Sequence, residues 1–495
     1  MIWALTFSPD ANYIDFIRSE KPIFDNTHLY RMPVLGGTPR LAMQRGIDFG
    51  SSYSPDGRQF AFLRVANSGP GTVDVLIAKA DGSGERVLAT RPYRDESIGV
   101  AWSPDGKTIA FSTSEATKKL RSSLWAISVG DGSVREIYST PDPIGRPRWL
   151  PDGSGLLAPI GGGMAGPAFR GQLWFISYPR GEARRLTNDL MNYQLCCLDL
   201  TPDGKTLVDT ELTTVSDLWV ASARNAAKAK QIATKEFAVG GLSWMPDGRI
   251  ILASQDGNLY AVNQDGSGRT QLTSGDSPNW DPSVCGDGRY IVYDAYREQK
   301  QGIWRMDADG SNSIRIADET FAIGPQCSPD GKWVVYVQGP HWTPVRIPIT
   351  GTKPPEVLVQ DFAVGFPPRI SPDGKRIMYL ASPEAPEHPS SSSATNPYQL
   401  KVIPSDGGVH LYKFDWPASA RAPHWAPAGD AVEYALTRSG VTNIWRQKLG
   451  GGPPKQITNF ESGQIFDFAW SHDGRQLALT RGTENSDVVL ISNFR

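Results

Sequence analysis

Val100-Ala101-Trp102-Ser103-Pro104-Asp105-Gly106-Lys107-Thr108-Ile109-Ala110-Phe111 is the stretch on which the fold turns. Its first three residues are apolar. Its last four alternate β-branched or aromatic residues with small ones, the period-two pattern of a half-buried strand. Between them, proline fixes φ, aspartate caps the turn with its own carboxylate, and glycine takes up a positive φ. The stretch reads as strand, tight hairpin, strand.

The same turn recurs along the whole chain: Ser54-Pro55-Asp56-Gly57, Leu150-Pro151-Asp152-Gly153, Thr201-Pro202-Asp203-Gly204, Met245-Pro246-Asp247-Gly248, Cys285-Gly286-Asp287-Gly288, Ser328-Pro329-Asp330-Gly331 and Ser371-Pro372-Asp373-Gly374. Degenerate copies stand at Ser8-Pro9-Asp10-Ala11, Ala426-Pro427-Ala428-Gly429 and Ser471-His472-Asp473-Gly474, making eleven copies spaced 40 to 55 residues apart. That period belongs to propellers and solenoids. After each turn comes an aliphatic–aromatic pair on a third strand, such as Leu124-Trp125, Leu218-Trp219 or Ile303-Trp304. A second turn often follows, as in Asp265-Gly266-Ser267-Gly268, and then a fourth strand such as Gln271-Leu272-Thr273. Four antiparallel strands per repeat make a propeller blade. No segment sustains a 3.6-residue apolar period, which excludes helical repeats. The expected fold is all-β: tandem β-propellers of four-stranded antiparallel blades, about eleven in number.

Length and composition agree. The 495 residues exceed one ordinary core. Glycine (50) and proline (39) are frequent, yet aromatics reach 10%, too many for a disordered chain. A net charge of −2 gives no basic excess for nucleic acid. No apolar run reaches the ~18–20 residues of a membrane span. The start, Met1-Ile2-Trp3-Ala4-Leu5-Thr6-Phe7, has neither the basic region nor the cleavage site of a signal peptide and enters repeat sequence at once, as a fragment would. Cys196, Cys197, Cys285 and Cys327 form no paired CxxC sets, which argues against zinc, and their scatter forms no disulfide framework. They do not reveal the compartment.

Six motifs between residues 245 and 474 account for a six-bladed ring, and the other five for a partial or five-to-six-bladed ring. The expected division is 1–227, an N-terminal propeller short of one upstream blade, and 228–495, a C-terminal six-bladed propeller, with a seven-plus-four split as the alternative. The chain ends on what reads as the third strand of its last blade, Asp487-Val488-Val489-Leu490-Ile491. Lys230-Gln231-Ile232-Ala233-Thr234 has the pattern to supply the fourth and close the ring. Ser382 through Tyr398 reads as a long loop between second and third strands.

The Ser-Pro-Asp-Gly motif, the Leu/Ile-Trp strand and the Asp-Gly-Ser turn together resemble the TolB-type (PD40, WD40-like) propellers. True WD40 repeats differ: no Gly-His pair occurs, and Trp280-Asp281 is expected in a loop. A closer likeness is to the C-terminal propeller region of membrane-anchored serine/threonine kinases of the acidobacterial type. It is carried by Leu5-Thr6-Phe7-Ser8-Pro9-Asp10, Tyr30-Arg31-Met32-Pro33-Val34-Leu35-Gly36-Gly37-Thr38-Pro39, Ser216-Asp217-Leu218-Trp219-Val220 and Ser486-Asp487-Val488-Val489-Leu490-Ile491-Ser492-Asn493-Phe494. The resemblance implies a periplasmic or extracytoplasmic propeller that senses a ligand or docks a protein.

No catalytic motif stands out. Gly161-Gly162-Gly163-Met164-Ala165-Gly166 matches GxGxxG, but no helix pattern follows it. Asp307-Ala308-Asp309-Gly310-Ser311-Asn312 lacks the twelfth-position glutamate of a calcium loop. GxSxG and the kinase motifs are absent. Catalytic residues, metal ligands and cofactors are therefore expected to be none. What remains is binding of a protein or small molecule at a propeller face or channel. Loops at the channel mouth carry aromatic and charged residues of the kind that dominate binding sites: Tyr93, Arg94, Arg146, Arg148, Tyr193, Trp280, Asp281, Trp416, Arg421 and Asp467. Packing between blades is the commoner use of such aromatics.

Overall fold

The computed structural model describes all of residues 1–495 except 1, 9, 20–26, 44–46, 48, 66–71, 93–98, 117–119, 162–170, 189–192, 194, 196, 202, 224–227, 234–236, 276, 298–299, 319–321, 340–341, 362, 364–365, 382–397, 418 and 493–495. Tyr93, Arg94, most of the glycine-rich 161–166 stretch and most of the expected 382–398 loop lie outside the described residues.

Each motif forms the expected hairpin. In Ser54-Pro55-Asp56-Gly57 the serine hydroxyl donates to the Asp56 carboxylate at 2.6 Å and accepts the Gln59 amide at 3.0 Å, with Gly57 at φ 69°. The hydroxyl and the Arg58 amide hold the Asp56 carboxyl below its ordinary range. These paired hairpins build nine antiparallel sheets of four strands and one larger sheet among the described residues, and no α-helix.

Four sheets follow one another from the first, opened by Ile2–Phe7, to the fourth, opened by Arg148–Trp149. Five more run from Phe237–Trp244 to Ala420–Trp425. Apolar clusters fill the space between neighbouring sheets, as where Ile251, Leu259 and Ala261 meet Val284, Ile291 and Tyr293. Each fully buried aliphatic side chain there contributes about 1.5–3 kcal/mol.

The tenth sheet joins the two halves. Thr206–Ser222 and Gln476–Ser492, each 17 residues long, pair antiparallel along their whole length, from Thr206 opposite Ser492 to Ser222 opposite Gln476. One end carries Asp199–Leu200 on the edge of Thr206–Ser222. The other carries Gln464–Trp470 on Gln476–Ser492 and Lys230–Ala233 on Thr206–Ser222. It is two blades drawn from both halves of the chain.

This corrects the expected strand assignment. Lys230–Ala233 does take the fourth position in the last blade, but it pairs with Leu218, Trp219 and Val220. Asp487–Ile491 is not that blade's third strand. It pairs with residues 207–211 and serves the fifth blade of the N-terminal half. The physical reason is the missing turn: Thr206–Ser222 contains no glycine or proline, so the chain runs straight for about 55 Å from one blade into the next.

The six-sheet half closes. Inner strand Phe237–Trp244 packs against Asn279–Val284 on one side and Gln464–Trp470 on the other. The five-sheet half is an arc with exposed apolar ends. Leu5 (56%) and Phe7 (58%) face away from the second sheet, and Val488 (69%) and Leu490 (66%) are exposed on the far end. Their neighbours in sequence face inward: Thr6 donates to Ser51, and Val489 and Ile491 pack on Leu150 and Tyr193.

Two further expectations change. Cys285 and Cys327 form a disulfide between the second and third sheets of the ring, so these cysteines are a cross-link after all. The motif places both at the inner ends of adjacent blades, a proximity that sequence scatter conceals. Trp280-Asp281 lies within the strand Asn279–Val284, not in a loop. A register shift between Trp280 and Ser283 makes the local sequence look irregular.

Candidate functional site

Counting back from the motif proline, or the residue in its place, organises both axes. Three residues before it, a polar side chain latches four of the blades to the next. Ser52 accepts the Trp102 amide at 3.0 Å, Ser243 the Val284 amide at 3.1 Å and Ser283 the Cys327 amide at 3.2 Å; Gln326 accepts that of Ile370. Two residues before it, tryptophan indoles donate to the preceding blade: Trp149 to Ala101, Trp244 to Ala469 and Trp425 to Arg369, at 2.9–3.1 Å.

In the ring the latch position changes character in three blades, to Arg369, His424 and Ala469. The position five before the proline holds Gly241, Asp281, Gly324, Pro367, Ala422 and Asp467. His424 Nε2 meets Asp467 Oδ1 at 2.7 Å, and the other Asp467 oxygen accepts the Gly241 amide at 3.1 Å. Asp294, 1% exposed, accepts from Gln301 at 2.8 Å and from the Gly324 amide at 3.4 Å. Asp281 and Arg369 hydrogen-bond to nothing among the described residues through their side chains, and the Arg369 Nε is shielded from water.

Burial pushes the Asp281 carboxyl up; the Arg369 charge opposes this and the Asp467 charge adds to it. Burial and the Asp281 charge likewise raise Asp294. Asp467 is also desolvated, yet His424 and Arg369 keep it below its ordinary range. Burial and the Arg369 charge lower His424. The result is a recessed cluster of both signs in which two charges are left unpaired.

The sequence-derived candidates divide. Asp281 and Asp467 belong to this cluster, with Trp280 next to Asp281 on its strand and Arg421 on the strand of His424. Trp416, 4% exposed, packs on Tyr434 and donates to Ala420, and Tyr193, 1% exposed, packs among Leu150, Leu157 and Leu207. Arg148 pairs with Asp199 at 2.9 Å across the fourth and fifth blades. Arg146 is buried at the centre of the arc, donating to Thr6 Oγ1 at 3.0 Å and Ser51 O at 2.7 Å. Gly99 makes room for it: a β-carbon there would stand 2.4 Å from Arg146 Cγ. Arg369, His424 and Asp294 were missed. Aligning the ring copies on their proline exposes the first two as ionisable side chains where three other ring blades carry Ser or Gln.

A crevice of about 300 Å³ opens between the third and fourth ring sheets, lined by Ser328, Trp333, Arg346 and Asp373 among others. Arg346 lies over Trp333 and is bound by Glu356 and Ser405, so its charge is already satisfied. The axis is the better site. No group of three metal-ligating side chains occurs among the described residues.

Residues 199–411 match the TolB β-propeller domain. Over that stretch the chain is similar to TolB propellers. A curated relative, an uncharacterized protein of Agrobacterium fabrum, is 26% identical over 223 residues, 44% of this chain and 73% of its own length. An uncharacterized peptidase of Bacillus subtilis is 28% identical over 197 residues, 39% of this chain, and the match spans only 28% of that protein. The solved TolB of Acinetobacter baumannii aligns over 70% of this TolB-like chain and 77% of its own, at 15% identity and a TM-score of 0.25. No helix among the described residues of the TolB-like protein is long and apolar enough to cross a membrane.

Proposed function

We propose that this TolB-like protein is a non-catalytic docking module that takes its ligand at the axis of the six-sheet ring. One observation carries the reading: Asp281 and Arg369 stand unpaired at that axis, beside the His424–Asp467 pair. Leaving charged groups recessed and unpaired costs stability, on the order of 1–3 kcal/mol each, which a binding role explains. The TolB β-propeller match supports a periplasmic protein-docking scaffold. The resemblance of Ser216–Val220 and the C-terminal stretch to membrane kinase propellers supports the finer reading, the extracytoplasmic sensor of a receptor-like kinase.

The test is a thermal-melt screen of envelope-derived peptides and small solutes against wild type and the Asp281→Asn/Arg369→Gln double variant. A ligand held by the folded state raises the melting temperature. Hits lost in the double variant support the reading. Hits that are indifferent to both substitutions, or hydrolysis of the peptides, overturn it.

A further inference from the structure

The ring axis points to a particular ligand chemistry, an inference that rests on the docking reading. Asp281 stands where neighbouring blades use Gly241 (φ 79°) and Gly324 (φ 62°), and its own φ is 45°. A β-carbon in this left-handed region costs on the order of 1–2 kcal/mol, and aspartate is among the residues that tolerate it. The bulge thus sets a carboxylate at a position two neighbouring blades fill with glycine.

The other charges around it are committed. Asp467 is held by His424, the Gly241 amide and the Phe468 amide, and Asp294 by Gln301 and the Gly324 amide. Asp281 and Arg369 are not. They act on each other through space without closing into an ion pair. An unpaired anion and an unpaired cation within electrostatic reach of each other are matched by a ligand carrying both charges.

We propose that the ring axis binds a small zwitterion, with its ammonium group on Asp281 and its carboxylate on Arg369. A charge-assisted bond forms at each end, and the Arg369 fork recognises the carboxylate in a way lysine cannot copy.

Calorimetric titration of the full chain with glycine, triglycine, N-acetyl-triglycine and triglycine amide tests this. At least one uncapped zwitterion is expected to bind at one site per chain, and each capped form about tenfold or more weaker than triglycine. Asp281→Asn is expected to remove the penalty for acetylating the amine while keeping the penalty for amidation; Arg369→Lys is expected to weaken carboxylate recognition with the fold intact by circular dichroism. Equal affinity for capped and uncapped peptide, or no binding of either zwitterion to folded wild type, overturns the proposal. Screen hits of other chemistry that still require Asp281 would then leave the docking module standing without the zwitterion.

Discussion

The two halves use one repeat and finish it in opposite ways. In the five-sheet arc, Arg146 crosses the centre and gives its donors to Thr6 and Ser51, so the axis is filled by the protein itself. In the six-sheet ring the latches and the Cys285–Cys327 cross-link hold the blades from their inner ends, and the axis keeps Asp281 and Arg369 unpaired. Closure by the walls frees the centre for a ligand. An arc with exposed ends needs its centre for cohesion.

The largest expected effect comes from the shared sheet. Gly482 lies where Gln476–Ser492 passes from one blade to the other, and a β-carbon there would stand 1.8 Å from the Val215 carbonyl oxygen. Gly482→Val is expected to cost more than about 4 kcal/mol in chemical denaturation and to destabilise arc and ring together in amide exchange. Loss confined to one half would break the comparison.

Next is the cross-link. Cys285 and Cys327 close a 42-residue separation, and the double serine variant is expected to lose about 4 kcal/mol by chain entropy, with faster exchange in the ring alone. Arg146→Met is expected to cost about 3 kcal/mol and to loosen the arc alone, because two carbonyl and hydroxyl acceptors lose their donor. A uniform loss across both halves would remove Arg146 from its place as the arc's private tie.

A smaller effect concerns Asp209, whose carboxyl is buried with one oxygen unbonded and is pushed up to about 7. Its folded value lies above the unfolded one. Its protonated form therefore adds stability fully at acid pH, and that contribution is lost as pH rises through about 7. Asp209→Asn is expected to gain about 2 kcal/mol over wild type at pH 8 and little at pH 4. A pH-independent difference in urea melts would contradict this. The smallest pair is Ser52→Ala in the arc and Ser243→Ala in the ring, each expected to cost about 1 kcal/mol through one orphaned amide. Unequal costs would show that the latch matters more in one half.

The blades were legible because Ser-Pro-Asp-Gly combines three residues that each dictate a backbone angle. Strand partnership was not. Leu218-Trp219 and Val488-Val489 carry the same apolar pattern, and pattern says which face is buried but not which chain segment lies alongside. The one available signal was negative, the lack of turn residues from Thr206 to Ser222. At the site, Asp281 and Asp467 were recognisable as charges near a mouth. Arg369 and His424 were not, because a charge at a latch position looks like any surface charge until the copies are set in register.

The exchange of strands between the halves is the core of this account, and the pair Thr210 and Val488 tests it most directly. These residues lie opposite each other in the shared sheet. With cysteines at both positions, peptide mapping of the oxidised protein should recover residues 210 and 488 joined, with both halves folded. Failure to join them in folded protein, with a 488 cysteine joining one placed at Gln231 in a second double variant, would return Asp487–Ile491 to the last blade and refute the exchange.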